Sequence, residues 1–288
     1  MKLTVLGSGG ALTFPRPCCD CANCHEAKSK GIPYSRTGPS LFLHDDAVLF
    51  DSPEETTAQL LREGIPRVKS VFYTHWHPDH VQGWRSFQHM QTQVDERNKF
   101  EFKNKWPPID VFIAKDAWHE FEIYHEPFEY LQKLKVIKIN FFEDRKPIKL
   151  GKITVTPLNL KTPVSIGYAF LIGDGKHKAI YAPCEVFGLK PDSYFKNLDL
   201  FLVEAGWVGD AEKVRRETRN PTWEQHYSLD ETFELAKRVG AKKTILTHLS
   251  GLWHESWSDF KKYLAEYKKK HGVDTAELAF DGMKVELK

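Results

Sequence analysis

Apolar residues fall into short runs bounded by glycine, proline and charge, the pattern of many strands interrupted by a few helices. Lys2 to Leu6, Leu41 to Phe50 and Val68 to Tyr73 read as strands, the last bounded upstream by Gly64 and Pro66. Ile109 to Ala114, Lys152 to Leu160, Tyr168 to Ile172, Ala179 to Ala182, Leu200 to Glu204 and Lys243 to Leu246 continue the series. Glu277 to Phe280 reads as the final strand, closing on Asp281-Gly282-Met283. Helices are expected over Glu55–Arg62, Val81–Met90, Lys115–Tyr124, Leu229–Val239 and Ser258–Lys270. Ser228 and Glu231 stand at capping-box spacing before one of them. The class is α/β.

One polar cluster changes the picture. Thr74-His75-Trp76-His77-Pro78-Asp79-His80 begins where the run Val68 to Tyr73 ends, the place where layered α/β folds put their chemistry. Neutral imidazole and carboxylate oxygen suit zinc, manganese or ferrous iron. Burying four such groups side by side without a cation is costly. The sequence therefore predicts a metal site at His75, His77, Asp79 and His80.

The H-x-H-x-D-H pattern resembles the signature of the metallo-β-lactamase superfamily. That resemblance implies a four-layer αββα sandwich with one or two metals, His75 and His77 serving one, Asp79 and His80 the other. It makes His248, in Ile245-Leu246-Thr247-His248-Leu249-Ser250, a further ligand. It also makes Asp51 a carboxylate that orients the ligands. Read alone, Asp51 could equally cap the following helix. Gly7-Ser8-Gly9-Gly10 lacks the dinucleotide spacing and is expected to let backbone turn close to the metal site.

Four of the five cysteines fall between Cys18 and Cys24. Cys19, Cys21 and Cys24 (C-x-C-x-x-C) can turn three thiolates to one structural zinc, with His254, His25 or Cys18 available as the fourth ligand. This second motif resembles PhnP-like phosphodiesterases and PqqB-like proteins, whose knuckle takes its last ligand a few residues after the late metal histidine; here that offset holds Gly251, and His254, one turn further on, is assigned. The PhnP-like resemblance also makes His226 a general acid beside the leaving group. Two positions depart from the pattern. The stretch from Leu160 to Tyr168 lacks a metal-binding histidine, and Pro183-Cys184-Glu185 stands where a bridging aspartate belongs. Cys184 is the thiolate ligand expected there, with Glu185 as the other side chain able to reach in.

Composition narrows the rest. A net charge of +2 over 288 residues gives no global electrostatic case for nucleic acid. Arg215, Arg216 and Arg219 are candidate phosphate contacts within a charged face. No apolar run approaches the roughly twenty residues of a membrane span, and the start lacks a basic-then-apolar signal, so a cytoplasmic protein is expected. The domain expectation is one unit, 1–288, with a knuckle at about 18–25 and an aromatic, charged insert at about 91–142. Trp118, His119, Tyr124 and His125 in that insert stand as pocket or packing residues.

The expected activity is a metal-dependent hydrolase, a phosphodiesterase acting on a small or cyclic phosphate ester. Its active site would hold one or two zinc, manganese or iron ions, and a homo-oligomer is compatible with it. The alternative is a PqqB-like mononuclear non-haem iron oxygenase built on Asp79, His80 and His248.

Overall fold

The computed structural model describes residues 1–94, 102–124, 127–162, 165–187, 189–218, 225–250 and 255–288. The N-terminal half supplies strands β1 (Lys2–Gly7), β2 (Ser40–Leu43), β3 (Val48–Phe50), β4 (Ser70–Phe72), β5 (Thr92–Val94), β6 (Phe102–Asn104), β7 (Ile109–Ala114) and β8 (Ile137–Phe142). Between them run helices α1 (Ala22–Lys30), α2 (Thr56–Arg62), α3 (Pro78–Val81), α4 (Arg85–Gln91), α5 (Trp118–Tyr124) and α6 (Pro127–Lys133). The C-terminal half adds β9 (Ile148–Leu150), β10 (Ile153–Asn159), β11 (Tyr168–Gly173), β12 (Lys178–Ala182), β13 (Leu200–Glu204), β14 (Lys243–Thr247), β15 (Ala276–Leu278) and β16 (Met283–Glu286). Its helices are α7 (Ala211–Thr218), α8 (Leu229–Val239) and α9 (Trp257–His271).

The strands form two seven-stranded sheets, β16-β1-β2-β3-β4-β7-β8 and β15-β14-β13-β12-β11-β10-β9, plus the small β5–β6 pair. Both sheets are built alike. From β16 the first has three antiparallel pairings and then three parallel ones; from β9 the second repeats that order. The sequence shows no matching internal repeat. Such a likeness of topology needs only similar apolar alternation, not similar residues.

Alternation explains the layers. In β11, Tyr168, Phe170 and Ile172 join the core between the sheets, while Ala169 and Leu171 face the cluster under α8 and α9. β13 divides the same way, Leu200 and Leu202 inward against Phe201 and Val203 outward. A strand buried on both faces must be apolar throughout, and Leu200 to Val203 is. Between the sheets the ring of Phe170 lies 5.5 Å from Phe50 and 5.4 Å from Phe72. Burying each ring contributes about 1.5–3 kcal/mol. Phe87, Phe121 and Phe128 join this core from α4, α5 and α6. The result is the expected helix–sheet–sheet–helix sandwich.

Three expectations need correction. Glu277 to Phe280 is not the last strand: β16 follows the turn and pairs with β1, Lys2 opposite Glu286. Asp51 does not cap α2, whose N-cap is Glu55 with no side-chain bond. The last long helix begins at Trp257, with Ser256 and Asp259 forming its capping box. Of the stretch 91–142, β7 and β8 complete the first sheet, leaving β5–β6, α5 and α6 as additions around it. Among the described residues no helix is long and apolar enough to cross a membrane.

Candidate metal centre

The parallel strands of both sheets end at one edge, and the polar side chains gather there. β3 runs into Asp51, β4 into the loop from Thr74 to His80, β12 into Cys184 and Glu185, β13 ends on Glu204, and β14 leads to His248. Three of these, Asp51, Glu185 and His248, have φ of 58°, 56° and 55°. A non-glycine residue in that left-handed region costs about 1–3 kcal/mol and persists where its surroundings demand it. Here the turn swings each side chain back over the sheet edge.

Asp51 organises the loop. Its carboxylate accepts from the Thr74 backbone N–H at 2.9 Å, from Thr74 Oγ1 at 3.0 Å and from His80 Nδ1 at 2.9 Å. That bond fixes the tautomer of His80 and turns Nε2 outward. His80 Nε2 and His248 Nε2 are buried with no hydrogen-bond partner, yet each lies 3.4 Å from Asp79 Oδ2. Donor atoms around a tetrahedral zinc with bonds of about 2.05 Å stand roughly 3.3 Å apart. Asp79, His80 and His248 therefore fit one divalent cation, and two orphaned buried nitrogens are hard to explain otherwise. Gly10 makes room for this group: a β-carbon there would fall 2.7 Å from His248 Nδ1.

A second convergence lies beside it. His75 Nε2 and His77 Nδ1 are 3.0 Å apart, and Glu185 Oε1 is 3.9 Å from the first and 3.5 Å from the second. Glu185 Oε1 is buried and has no partner. Cys184, also buried, brings its sulfur within 4.8 Å of donor atoms of both His75 and His80. Its thiol is pushed well up by burial, an effect only partly offset by His80.

The electrostatics without a cation describe a strained cluster. Burial, then His80 and His77, pull His75 well below the usual imidazole value; burial and His80 bring His77 down to about 4. Burial also opposes charge on His80, but Asp79 and Asp51 outweigh it and hold that ring well above its usual value. Burial works against the Asp79 carboxylate too, and His80 with His248 overcomes it. A metal at these donors would meet the negative charge that Asp79 and Asp51 bring to the cluster.

His226 stands on the same cavity. Its Nδ1 bonds Glu204 Oε2 at 2.8 Å, leaving Nε2 as the nitrogen available to a substrate. Burial lowers the affinity of this ring for a proton; Glu204 more than compensates, and the pKa is raised. Glu204 also accepts from the Glu185 backbone N–H at 2.9 Å, so one carboxylate steadies both walls. Sequence reading missed Glu204; a lone acid ending a wholly apolar strand was the available signal. Arg215 does not face the cavity as a phosphate contact. It forks onto Glu231 at 2.7 and 2.8 Å and donates to the His226 carbonyl at 3.1 Å. Arg216 is exposed and Arg219 lies outside the described residues.

The cavity has a volume of about 720 Å³ and is walled on one side by Trp76, Ile123 and Tyr124. The Trp76 and Tyr124 rings stack at 4.0 Å, 16° from parallel. His119 also lines it; His125 lies outside the described residues. Among the described lining residues there is no lysine or arginine.

Outside this cavity's lining, Cys19, Cys21 and Cys24 bring three sulfurs within 4.8 Å of one another at the start of α1. Arg16 donates to Cys19 Sγ from its guanidinium and to Cys24 Sγ from its backbone N–H, both at 3.4 Å. Cys18 is exposed and outside the trio, while His25 turns to Asp20 at 2.5 Å. His254 lies outside the described residues.

Comparison with known proteins agrees with the geometry. A family model described as a beta-lactamase superfamily domain matches residues 46–249. Ribonuclease Z of Myxococcus xanthus (strain DK1622) is 23% identical over 301 residues, covering 87% of this chain and 92% of its own. Among solved structures, a new diphosphatase from the PhnP family shares 24% identity at a TM-score of 0.73, over 99% of this chain and 96% of that one. Zn²⁺-bound PqqB from Methylobacterium extorquens shares 16% at 0.72, over the whole of both chains. At such identities the two structures speak for the fold, and they meet the resemblance drawn from the H-x-H-x-D-H and C-x-C-x-x-C motifs. The chain belongs to the metallo-β-lactamase superfamily.

Proposed function

We propose that the protein is a metal-dependent phosphodiesterase acting on small, singly charged phosphate diesters. The observation that carries this reading is the pairing of two independent devices on one cavity: the orphaned donors of Asp79, His80 and His248, and the anchored imidazole of His226. Asp79, His80 and His248 would hold a divalent cation, which would supply Lewis acidity and an acidified water. His226, whose affinity for a proton Glu204 raises, is placed to give its Nε2 proton to the departing oxygen. Of the two carboxylates lining the cavity, Asp79 and Glu120, Asp79 lies against His80 and His248 and is our candidate to take the proton of the attacking water. The curated relative named ribonuclease Z acts at phosphorus–oxygen bonds, which supports phosphorus as the reacting centre.

The wall chemistry supports the substrate class. The described lining offers no lysine or arginine to a second phosphate charge, which favours a singly charged ester over a dianionic monoester or a diphosphate. A diester carries one charge, which the metal side of the cavity can match. The Trp76–Tyr124 stack offers a flat apolar face to a ring-bearing substituent. Asp79, His80 and His248 also have the make-up of an iron oxygenase triad, but that alternative leans on an emptied first metal position. Glu185 beside His75 and His77 weighs against it.

The test is turnover of bis(p-nitrophenyl) phosphate beside p-nitrophenyl phosphate, with zinc, manganese and iron forms, while dissolved oxygen is followed. Hydrolysis of the diester in preference to the monoester, without oxygen uptake, is expected. Oxygen consumption by the iron form with no hydrolysis by any form would overturn the reading.

A further inference from the structure

We propose that the side-chain amide of Gln225 donates a hydrogen bond to a non-bridging oxygen of the phosphate diester, as the neutral donor that sets the preference for a single charge. This rests on the reading that the cavity takes such a diester, and it assigns a residue to that selectivity. Gln225 is only 5% exposed, yet it lines the cavity beside His226. A glutamine is seldom so buried unless its amide is in use. Among the described lining residues there is no lysine or arginine to do the same work.

A count of protons fixes which way the amide points. The Ser165 hydroxyl has one proton, and it goes to the Glu185 carboxylate, Oγ to Oε2 at 2.5 Å. Toward Gln225, 3.2 Å away, Ser165 Oγ can then only accept, so the Nε2 end of the amide faces it. Nε2 carries two protons. Ser165 takes one, and among the described residues no side chain or carbonyl takes the other. The residue is also held by its backbone, whose carbonyl accepts from the Phe187 N–H at 3.0 Å. A donor fixed in advance needs little reorganisation when an anion arrives.

The strength of such a contact suits the ligand. A diester spreads one negative charge over two non-bridging oxygens, and a neutral N–H gives such an oxygen a charge-assisted bond. A dianion needs a full positive charge to repay its lost hydration, and an amide does not carry one. Ser165, on the same wall, has no proton left to share. Gln225 therefore selects by what it lacks as well as by what it donates.

The test reads binding and turnover separately in the zinc-loaded, full-length protein. Diphenyl phosphate, whose poor leaving groups keep it intact, and inorganic phosphate are titrated by calorimetry, and kcat/KM is measured for bis(p-nitrophenyl) phosphate. Gln225→Ala is expected to weaken diphenyl phosphate binding and lower kcat/KM, each by about 10- to 100-fold, with zinc content unchanged. Gln225→Lys can still donate to Ser165, and it is expected to tighten inorganic phosphate about tenfold relative to diphenyl phosphate. If Gln225→Ala binds diphenyl phosphate as wild type does, or Gln225→Lys shifts both anions by one factor, the amide only packs. The proposal then falls alone, provided wild type hydrolyses the diester. If wild type binds diphenyl phosphate through Gln225 but turns over no diester, the hydrolytic reading falls and the donor stands. If wild type does neither, both fall.

Discussion

A β-carbon on Gly167 would stand 2.9 Å from Glu185 Oε2, closer than a real contact permits. Glu185 cannot simply swing aside, because Ser165 holds the same oxygen and the residue is fully buried. Gly167→Ala should therefore push the carboxylate off His75 and His77. The expected outcome is a loss of about 1–3 kcal/mol in stability from overpacking, together with a lower zinc content. A thermal melt and elemental analysis on one preparation check both. A stability loss at full zinc content would mean that Glu185 only packs.

The His226–Glu204 pair predicts a pH profile. Donation requires the protonated imidazole, and Glu204 raises its pKa above the ordinary value of about 6.5. Activity on a diester with a poor leaving group should thus hold above that pH and fall as pH rises through the raised pKa. Glu204→Gln removes the charge, so the alkaline limb should move to lower pH, with the maximal rate less affected. His226→Ala should cut kcat by about 10²- to 10⁴-fold while zinc content stays. A limb that ignores Glu204→Gln would assign it to another group.

How much of this centre could be read from the chain follows from how local each part is. His75, His77, Asp79 and His80 lie within six positions at a strand end, so spacing alone pointed to them. His248 was legible only through resemblance, because it arrives on a different sheet. Glu185 stayed one of two options: its place depends on the turn at its own backbone, on the gap at Gly167 and on Ser165, none visible as a pattern. Glu204 hid as the last residue of an apolar strand. β16 was lost because Met283 to Glu286 is short and follows a turn that looked final; its pairing with β1 joins opposite ends of the chain. Arg215 looked free in sequence because its partner, Glu231, sits sixteen residues on.

Asp51 touches no cavity atom, yet it should matter to metal affinity. It accepts from Thr74 twice and from His80 Nδ1, all in the buried layer beneath the site. Asp51→Asn keeps the shape but offers an uncharged, less fitting acceptor to His80. Zinc affinity should fall by about 10- to 100-fold, measured by competition with a chromogenic chelator. Affinity equal to wild type would make Asp51 a structural residue of the loop.

The knuckle predicts a separable metal. Three cysteine sulfurs within 4.8 Å at the start of α1 should hold zinc whatever happens at the active centre. Cys21→Ser should remove one equivalent of zinc and lower the melting temperature, since binding free energy at such a site is folding free energy. His248→Ala should leave that equivalent in place. Unchanged zinc content in Cys21→Ser would remove the knuckle assignment.

The cavity wall gives a prediction about substrate shape. Tyr124 is about half exposed, 54% by area for the residue, and its stack on Trp76 faces the cavity at the C-terminal end of α5. An aromatic contact of this kind is worth about 0.5–1.5 kcal/mol, roughly two- to tenfold in KM. Tyr124→Ala should raise KM by that factor for a diester bearing an aryl group and leave kcat nearly unchanged. A dialkyl diester has no ring to lose contact with, so its kinetics should stay at the wild-type level. Because the residue is half exposed, stability should change by less than about 0.5 kcal/mol. Equal damage to both substrates would instead mean that the ring orders α5, and that the flat wall is packing rather than a subsite.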